Sequence, residues 1–190
     1  MEQYSHNVLF ARKEAFRFRC EIRIYDRSGS KLLFFVKQTA LKLKEEITVH
    51  VDAAQTRELL NIQAQNIIDF PAAYDVTDST SNQKVGALRR RGLGSVVRDR
   101  WEIMDAAGKA IGTILEDNLP MAVLRRFLPI IPRTYKIEIN GTVVGVLKQS
   151  LNPLVLRLWA DFSMDTENKL DRRLGIAALS LLHVIDGRQQ

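Results

Sequence analysis

One cysteine, Cys20, occurs among 190 residues, so no disulfide can form within the chain. That scarcity suits a reducing, cytoplasmic setting. Histidine is nearly as scarce: His6, His50 and His183 are far apart, and no HExxH pattern exists. A metal centre or a Cys/His nucleophile is therefore not expected. No serine sits in a GxSxG elbow, and no P-loop spacing occurs. Paired carboxylates such as Glu45-Glu46 and Glu116-Asp117 stand at strand edges or turns, with nothing to mark them as an acid/base pair. The expectation is a protein that is not an enzyme and needs no cofactor. The opening residues lack a basic stretch followed by an apolar run, so no secretory signal is expected, and no lipidation box is present.

Long hydrophobic runs are also few. The principal one, Leu174 to Ile185, is broken only by Ser180 and His183. Twelve residues rise about 18 Å as a helix, well short of the roughly 30 Å of a bilayer core. Charged Asp171-Arg172-Arg173 and Asp186-Gly187-Arg188 bound it on either side. A helix apolar on every face and too short to span a membrane is expected inside the protein. His183 is then a hydrogen-bonded core residue.

What the sequence does have is alternation. Phe16, Phe18, Cys20, Ile22 and Ile24 share one face of a strand, while Arg17, Arg19, Glu21 and Arg23 share the other. The same period recurs at 41–44, 47–51, 135–139 and 154–159. Turn signals separate these runs at Asp26–Gly29, Asp105–Gly108 and Asn140-Gly141. A repeat underlies them: Gly108 and Gly141 are each followed four residues later by a strand glycine, Gly112 or Gly145. Val85-Gly86-Ala87-Leu88 repeats the latter half, and Gly29 to Phe34 follows the same design without the second glycine. Eleven or twelve candidate strands are too many for one flat sheet (about ten is the usual limit) and predict closure. The expectation is a single domain over 1–190, a mainly β, closed antiparallel barrel of about twelve strands around a central hydrophobic helix at about 167–186. A disordered tail at about 1–7 precedes it. Asn118 to Leu128, with its early Pro120, predicts one further short helix.

This layout resembles the LURP-one-related and phospholipid scramblase-like proteins, which share the tubby C-terminal fold. The resemblance rests on Tyr74-Asp75-Val76 through Gly86 to Arg90, Trp101 through Asp117, Tyr135 to Gly141 and the terminal helix. It covers about Phe16 to Ile185 and concerns turns and strands. It implies a twelve-stranded barrel with the helix along its axis, and phospholipid or phosphoinositide binding as in some members. Palmitoylation cysteines and a calcium loop are missing from this chain, so calcium-triggered scrambling is not carried over.

Charge is the remaining signal. The formal charge is +6, unevenly spread. Val51 to Gln83 is acidic, whereas Lys84 to Arg100 holds six basic residues against Asp99 alone. Lys84, Arg89, Arg90, Arg91, Arg98 and Arg100 are the candidate head-group ligands, because arginine forks match phosphate oxygens and the Gly92-Leu93-Gly94 turn offers backbone N–H groups. Arg125, Arg126, Phe127 and Leu128 are candidate membrane contacts, since basic and apolar neighbours suit the lipid–water boundary. The partners this suggests are an anionic lipid head group or the inner membrane face; a protein partner with no lipid involved is the alternative. Nucleic acid ranks lowest, because the tryptophans expected on an exposed face, Trp159 beside Arg157 and Trp101 near Arg100, are isolated where base stacking needs a platform.

Overall fold

The computed structural model describes residues 2–14, 21–39, 45–65, 73–91, 100–117, 132–150 and 155–186. Twelve antiparallel strands follow one another around a closed barrel: β1 (Val8–Glu14), β2 (Glu21–Asp26), β3 (Leu32–Thr39), β4 (Glu46–His50), β5 (Glu58–Ala64), β6 (Ala73–Asp78), β7 (Gln83–Arg90), β8 (Arg100–Asp105), β9 (Ala110–Glu116), β10 (Thr134–Ile139), β11 (Thr142–Ser150) and β12 (Val155–Asp161). β1 closes the barrel on β12, with Ala11 opposite Leu158. Closure leaves no strand edge unpaired. The alternation works as the sequence implies. Ile22 and Ile24, Ile47 and Val49, and Tyr135, Ile137 and Ile139 are buried, while Arg23, Thr48, Lys136 and Glu138 between them face outward. The strand expected at 41–44, the start of the one expected from Phe16 and the short helix expected at 118–128 lie outside the described residues.

The repeat proves to be a bulged hairpin. In each of five hairpins the second strand carries one extra residue shortly after the turn: Leu33, Leu59, Val85, Ile111 and Val144. A bulge sharpens the local twist, and sharp twist is what lets a sheet curl into a barrel. The next residue faces inward. It is Phe34 and Leu60 in two hairpins and Gly86, Gly112 and Gly145 in the other three. A methyl group on Gly86 would lie 2.2 Å from the Met104 carbonyl oxygen and 3.2 Å from the Leu174 side chain, so glycine admits both the partner strand and the helix. The turn glycines have another cause. Asn140 and Gly141 both take positive φ, 49° and 77°, as a two-residue hairpin demands.

Helix α1 (Arg172–Asp186) fills the barrel. Every residue from Leu174 to Val184 is buried, and those with side chains (all but Gly175) are at most 2% exposed. Two of them are polar: the Ser180 hydroxyl donates to the Ile176 carbonyl at 2.8 Å, and His183 is fully buried. Among the described residues no helix is long and apolar enough to cross a membrane.

The helix begins five residues later than the sequence suggests. The stretch before it is a turn organised by Asp165, whose buried carboxylate accepts from the Lys169 and Leu170 amides at 2.8 and 3.1 Å. Asn168 in the left-handed region (φ 52°) breaks the helical path. Asp171 then caps α1, its Oδ1 accepting from the Arg173 amide at 2.9 Å. The tail expected to be disordered at 1–7 is also corrected. Glu2–Ser5 forms a 3-10 turn, the Tyr4 ring packs 5.7 Å from that of Phe34, and the Phe162 amide donates to the Asn7 carbonyl. Apolar contact with the barrel orders a segment too short and polar to announce itself. Burial, first of all, pushes the Tyr4 hydroxyl up to about 12.

Arg173 ties the helix to the wall, pairing with Asp78 at 2.9 Å and with Asp171 at 2.6 Å. Partial burial would raise the Asp78 carboxyl, but hydrogen bonds from Thr80, Arg173 and Ser81 outweigh it and lower the pKa to about 2. A lowered carboxyl stabilises the fold above its ordinary value of 3.8, and that contribution is lost as pH falls towards 2. Urea midpoints measured from neutral pH to pH 2 should therefore drop less for Asp78→Asn than for wild type in this window. Parallel acid slopes for the two proteins would contradict the assignment.

Candidate functional site: the arginine-bearing end of the barrel

Strand parity divides the arginine triplet. Leu88 faces inward opposite Ile103, so two residues on Arg90 faces the lumen side, opposite Trp101. Its guanidinium lies 5.9 Å from the centre of the Trp101 ring, a cation–π distance at the barrel mouth. Arg89 and Arg91 face outward and converge on Glu102. Arg89 Nε is 3.2 Å from Oε2, and Arg91 donates to Oε1 through Nε at 2.7 Å and also through Nη2. Glu102 is thereby buried on the outer wall, its side chain 7% exposed beneath Arg91 at 62%. Arg100 stands two residues before Glu102 on the same outward face and is exposed. Two outward arginines thus clamp one carboxylate, and with Arg100 on the same face the group keeps a net positive charge. Part of their capacity for anions is already occupied by Glu102.

Lys84 does not join them. It sits five residues back along β7, about 17 Å away at strand rise, and pairs with Asp75 at 2.7 Å. Its charge is spent at the other end of the barrel. Arg98 and the candidate membrane contacts Arg125, Arg126, Phe127 and Leu128 lie outside the described residues.

The order of the strands nonetheless sorts the charges. In an up-and-down barrel successive connections leave from alternate ends. The chain after β1, β3, β5, β7, β9 and β11 leaves from one end, the end that carries Arg90, Arg91 and Arg100. By sequence these six connections hold nine basic residues (Arg17, Arg19, Lys42, Lys44, Arg91, Arg98, Arg125, Arg126, Arg133) against four acidic ones (Glu45, Asp69, Asp99, Asp117). At the opposite end, the five hairpins, the N-terminal segment and the lead into α1 hold five basic residues (Arg27, Lys31, Arg57, Lys109, Lys169) and five acidic ones (Glu2, Asp52, Asp165, Glu167, Asp171). By sequence the first set of connections is therefore net basic and the second balanced.

Other candidate chemistry is thin. Among the described residues, no three His, Cys, Asp or Glu side chains gather as a metal site. His50 is buried on the outer wall with Nε2 2.9 Å from the Thr48 hydroxyl, and desolvation lowers its pKa.

Sequence reasoning misplaced one tryptophan and undervalued the other. Trp101 is 1% exposed and faces the lumen, whereas Trp159 is 37% exposed and has company. Across three adjacent strands Tyr25 of β2, Phe10 of β1 and Trp159 of β12 stand in one outward row. Their alternation with buried Leu9, Ala11 and Leu158 could have been read locally; their alignment could not. No protein-family model matches the chain, and no curated protein matches it in sequence.

Proposed function

We propose that the protein is a non-enzymatic binding module whose arginine-bearing end associates with anionic phospholipid or phosphoinositide head groups. The described arginines carry this reading: Arg89, Arg91 and Arg100 share an outward face where β7 ends and β8 begins, and by sequence the six connections of that parity hold nine basic residues against four acidic ones, while the others are balanced. A negatively charged membrane surface attracts such an end by about 1 kcal/mol per basic residue. The resemblance to LURP-one-related and scramblase-like proteins supports the same ligand class. An activity inside the barrel is disfavoured because α1 takes the space a substrate would need.

Co-sedimentation with phosphatidylcholine vesicles, with and without phosphatidylserine or a phosphoinositide, tests the proposal. Binding should require the anionic lipid and weaken as salt rises. Changing Arg91 and Arg100 together to alanine should weaken it roughly thirtyfold at low salt. Glu102→Gln should strengthen it, because the neutral amide releases Arg89 and Arg91 from their internal counter-ion. Equal binding to uncharged vesicles, or indifference to all three changes, would sink the reading.

A further inference from the structure

The outer wall formed by β11, β12, β1 and β2 carries a second feature, across the barrel from β7 and independent of the lipid reading. Register places Arg23, Arg12 and Arg157 opposite one another on three adjacent strands. Two residues along, about 6.6 Å at strand rise, Tyr25, Phe10 and Trp159 form a parallel row, and Lys148 of β11 extends it. The ring centres of Phe10 and Trp159 are 4.5 Å apart, those of Phe10 and Tyr25 6.4 Å. Arg12, Lys148 and Trp159 are exposed, and Arg23 is held over the Phe35 ring at 5.6 Å.

From this juxtaposition we infer that the wall is a docking surface for an acidic segment of a partner protein that carries an aromatic or aliphatic anchor.

Three observations favour that occupant. Tryptophan, tyrosine and arginine are the residues that dominate binding energy at protein interfaces, and here they are contiguous on a rigid sheet. The rows bear cationic groups on one side of an apolar strip, so carboxylates spaced around an apolar side chain would satisfy both at once. The wall is also mixed in sign: Glu21 stands beside Arg23, and Asp161 borders Trp159 on the side away from the arginines. A uniformly anionic ligand, whether a lipid surface or a polyphosphate backbone, would meet those carboxylates as repulsion. Single-stranded nucleic acid is disfavoured for a further reason. Phe10 and Trp159 are inclined by only 34° and pack on each other, which occupies ring faces that bases would need.

A phage-displayed library of random peptides, panned on the folded protein and counter-selected on Trp159→Ala, tests the inference. Trp159 is exposed enough for its loss to spare the fold, which a thermal melt checks, and Trp159→Phe serves as the conservative companion. Peptides retained only by the wild type should combine Asp or Glu with Phe, Trp or Leu. Synthesised and labelled, they should bind at least tenfold more weakly to Trp159→Ala and to Arg23→Glu. Binding to Trp159→Phe should change little, and binding to Lys109→Ala, on a distant turn, not at all. Selected peptides that are basic, or that bind the variants equally, overturn the assignment. So does a result in which oligo(dT) or phosphatidylserine vesicles, and no peptide, lose binding on Trp159→Ala. The vesicle proposal stands or falls separately, since the arginines changed to test it, Arg91 and Arg100, stand at the end of β7 and the start of β8.

Discussion

Leu179→Asp should abolish folding, so that the chain is recovered only as aggregate. Leu179 is fully buried midway along α1, enclosed by the barrel wall. A carboxylate there would leave water for an apolar lumen, at a cost of several kcal/mol after any neutralisation. Net stability for a domain of this size is only about 5–15 kcal/mol, and the barrel cannot close around a void instead. The graded form of the experiment is Leu179→Ala, which removes buried methyl groups and leaves a cavity. A loss of about 2–5 kcal/mol is expected, read as a fall in Tm of about 4–20 °C. A soluble Leu179→Asp protein with an unshifted melt would mean that α1 does not fill the lumen, and the architecture would have to be abandoned.

Gly112→Ala should be nearly as damaging despite adding one methyl group. At that position a Cβ would lie 2.2 Å from the Glu138 carbonyl oxygen and 2.6 Å from the Ile139 side chain. The side chain can turn aside, but the carbonyl belongs to the ladder between β9 and β10 and cannot move without breaking it. Overpacking of this kind costs about 1–3 kcal/mol when side chains alone absorb it. With backbone as the obstacle the upper end, about 3 kcal/mol, is expected, a fall in Tm of about 6–12 °C. Gly141→Ala is the instructive control. Nothing lies within 4 Å of its Cβ position, but φ is 77°, so only the left-handed penalty of about 1 kcal/mol applies. If the two alanines cost the same, crowding at the bulge is not what selects glycine there.

The two glycines show how far local sequence reaches. Asn140-Gly141 announces its turn directly, because the chemistry that favours positive φ is contained in two residues. Gly112 announces only that something approaches closely; that the neighbour is a carbonyl of β10 is decided by register. The arginines show the same division. Once β7 is known to continue to Arg90, alternation from Leu88 dictates that Arg90 turns inward while Arg89 and Arg91 turn out. Read as a loop, the triplet looked like one cluster, since nothing in Arg-Arg-Arg-Gly says where the strand stops. Lys84 was grouped with them by nearness in sequence, which along an extended strand means distance in space. The start of the helix reflects a similar limit. Asp165 ends no periodic pattern, yet it collects the amides that hold the chain in a turn until Asp171.

By itself the sequence determined the alternation, the tight turns, the count of strands and the fate of the apolar helix, because each depends on neighbours a few residues away or on length alone. Only the tertiary structure decided which residues stand beside one another: the Arg89–Glu102–Arg91 clamp and the Tyr25–Phe10–Trp159 row. Those depend on closure and register. A shift of one residue between strands would turn each outward side chain inward, and only the packed core decides against it.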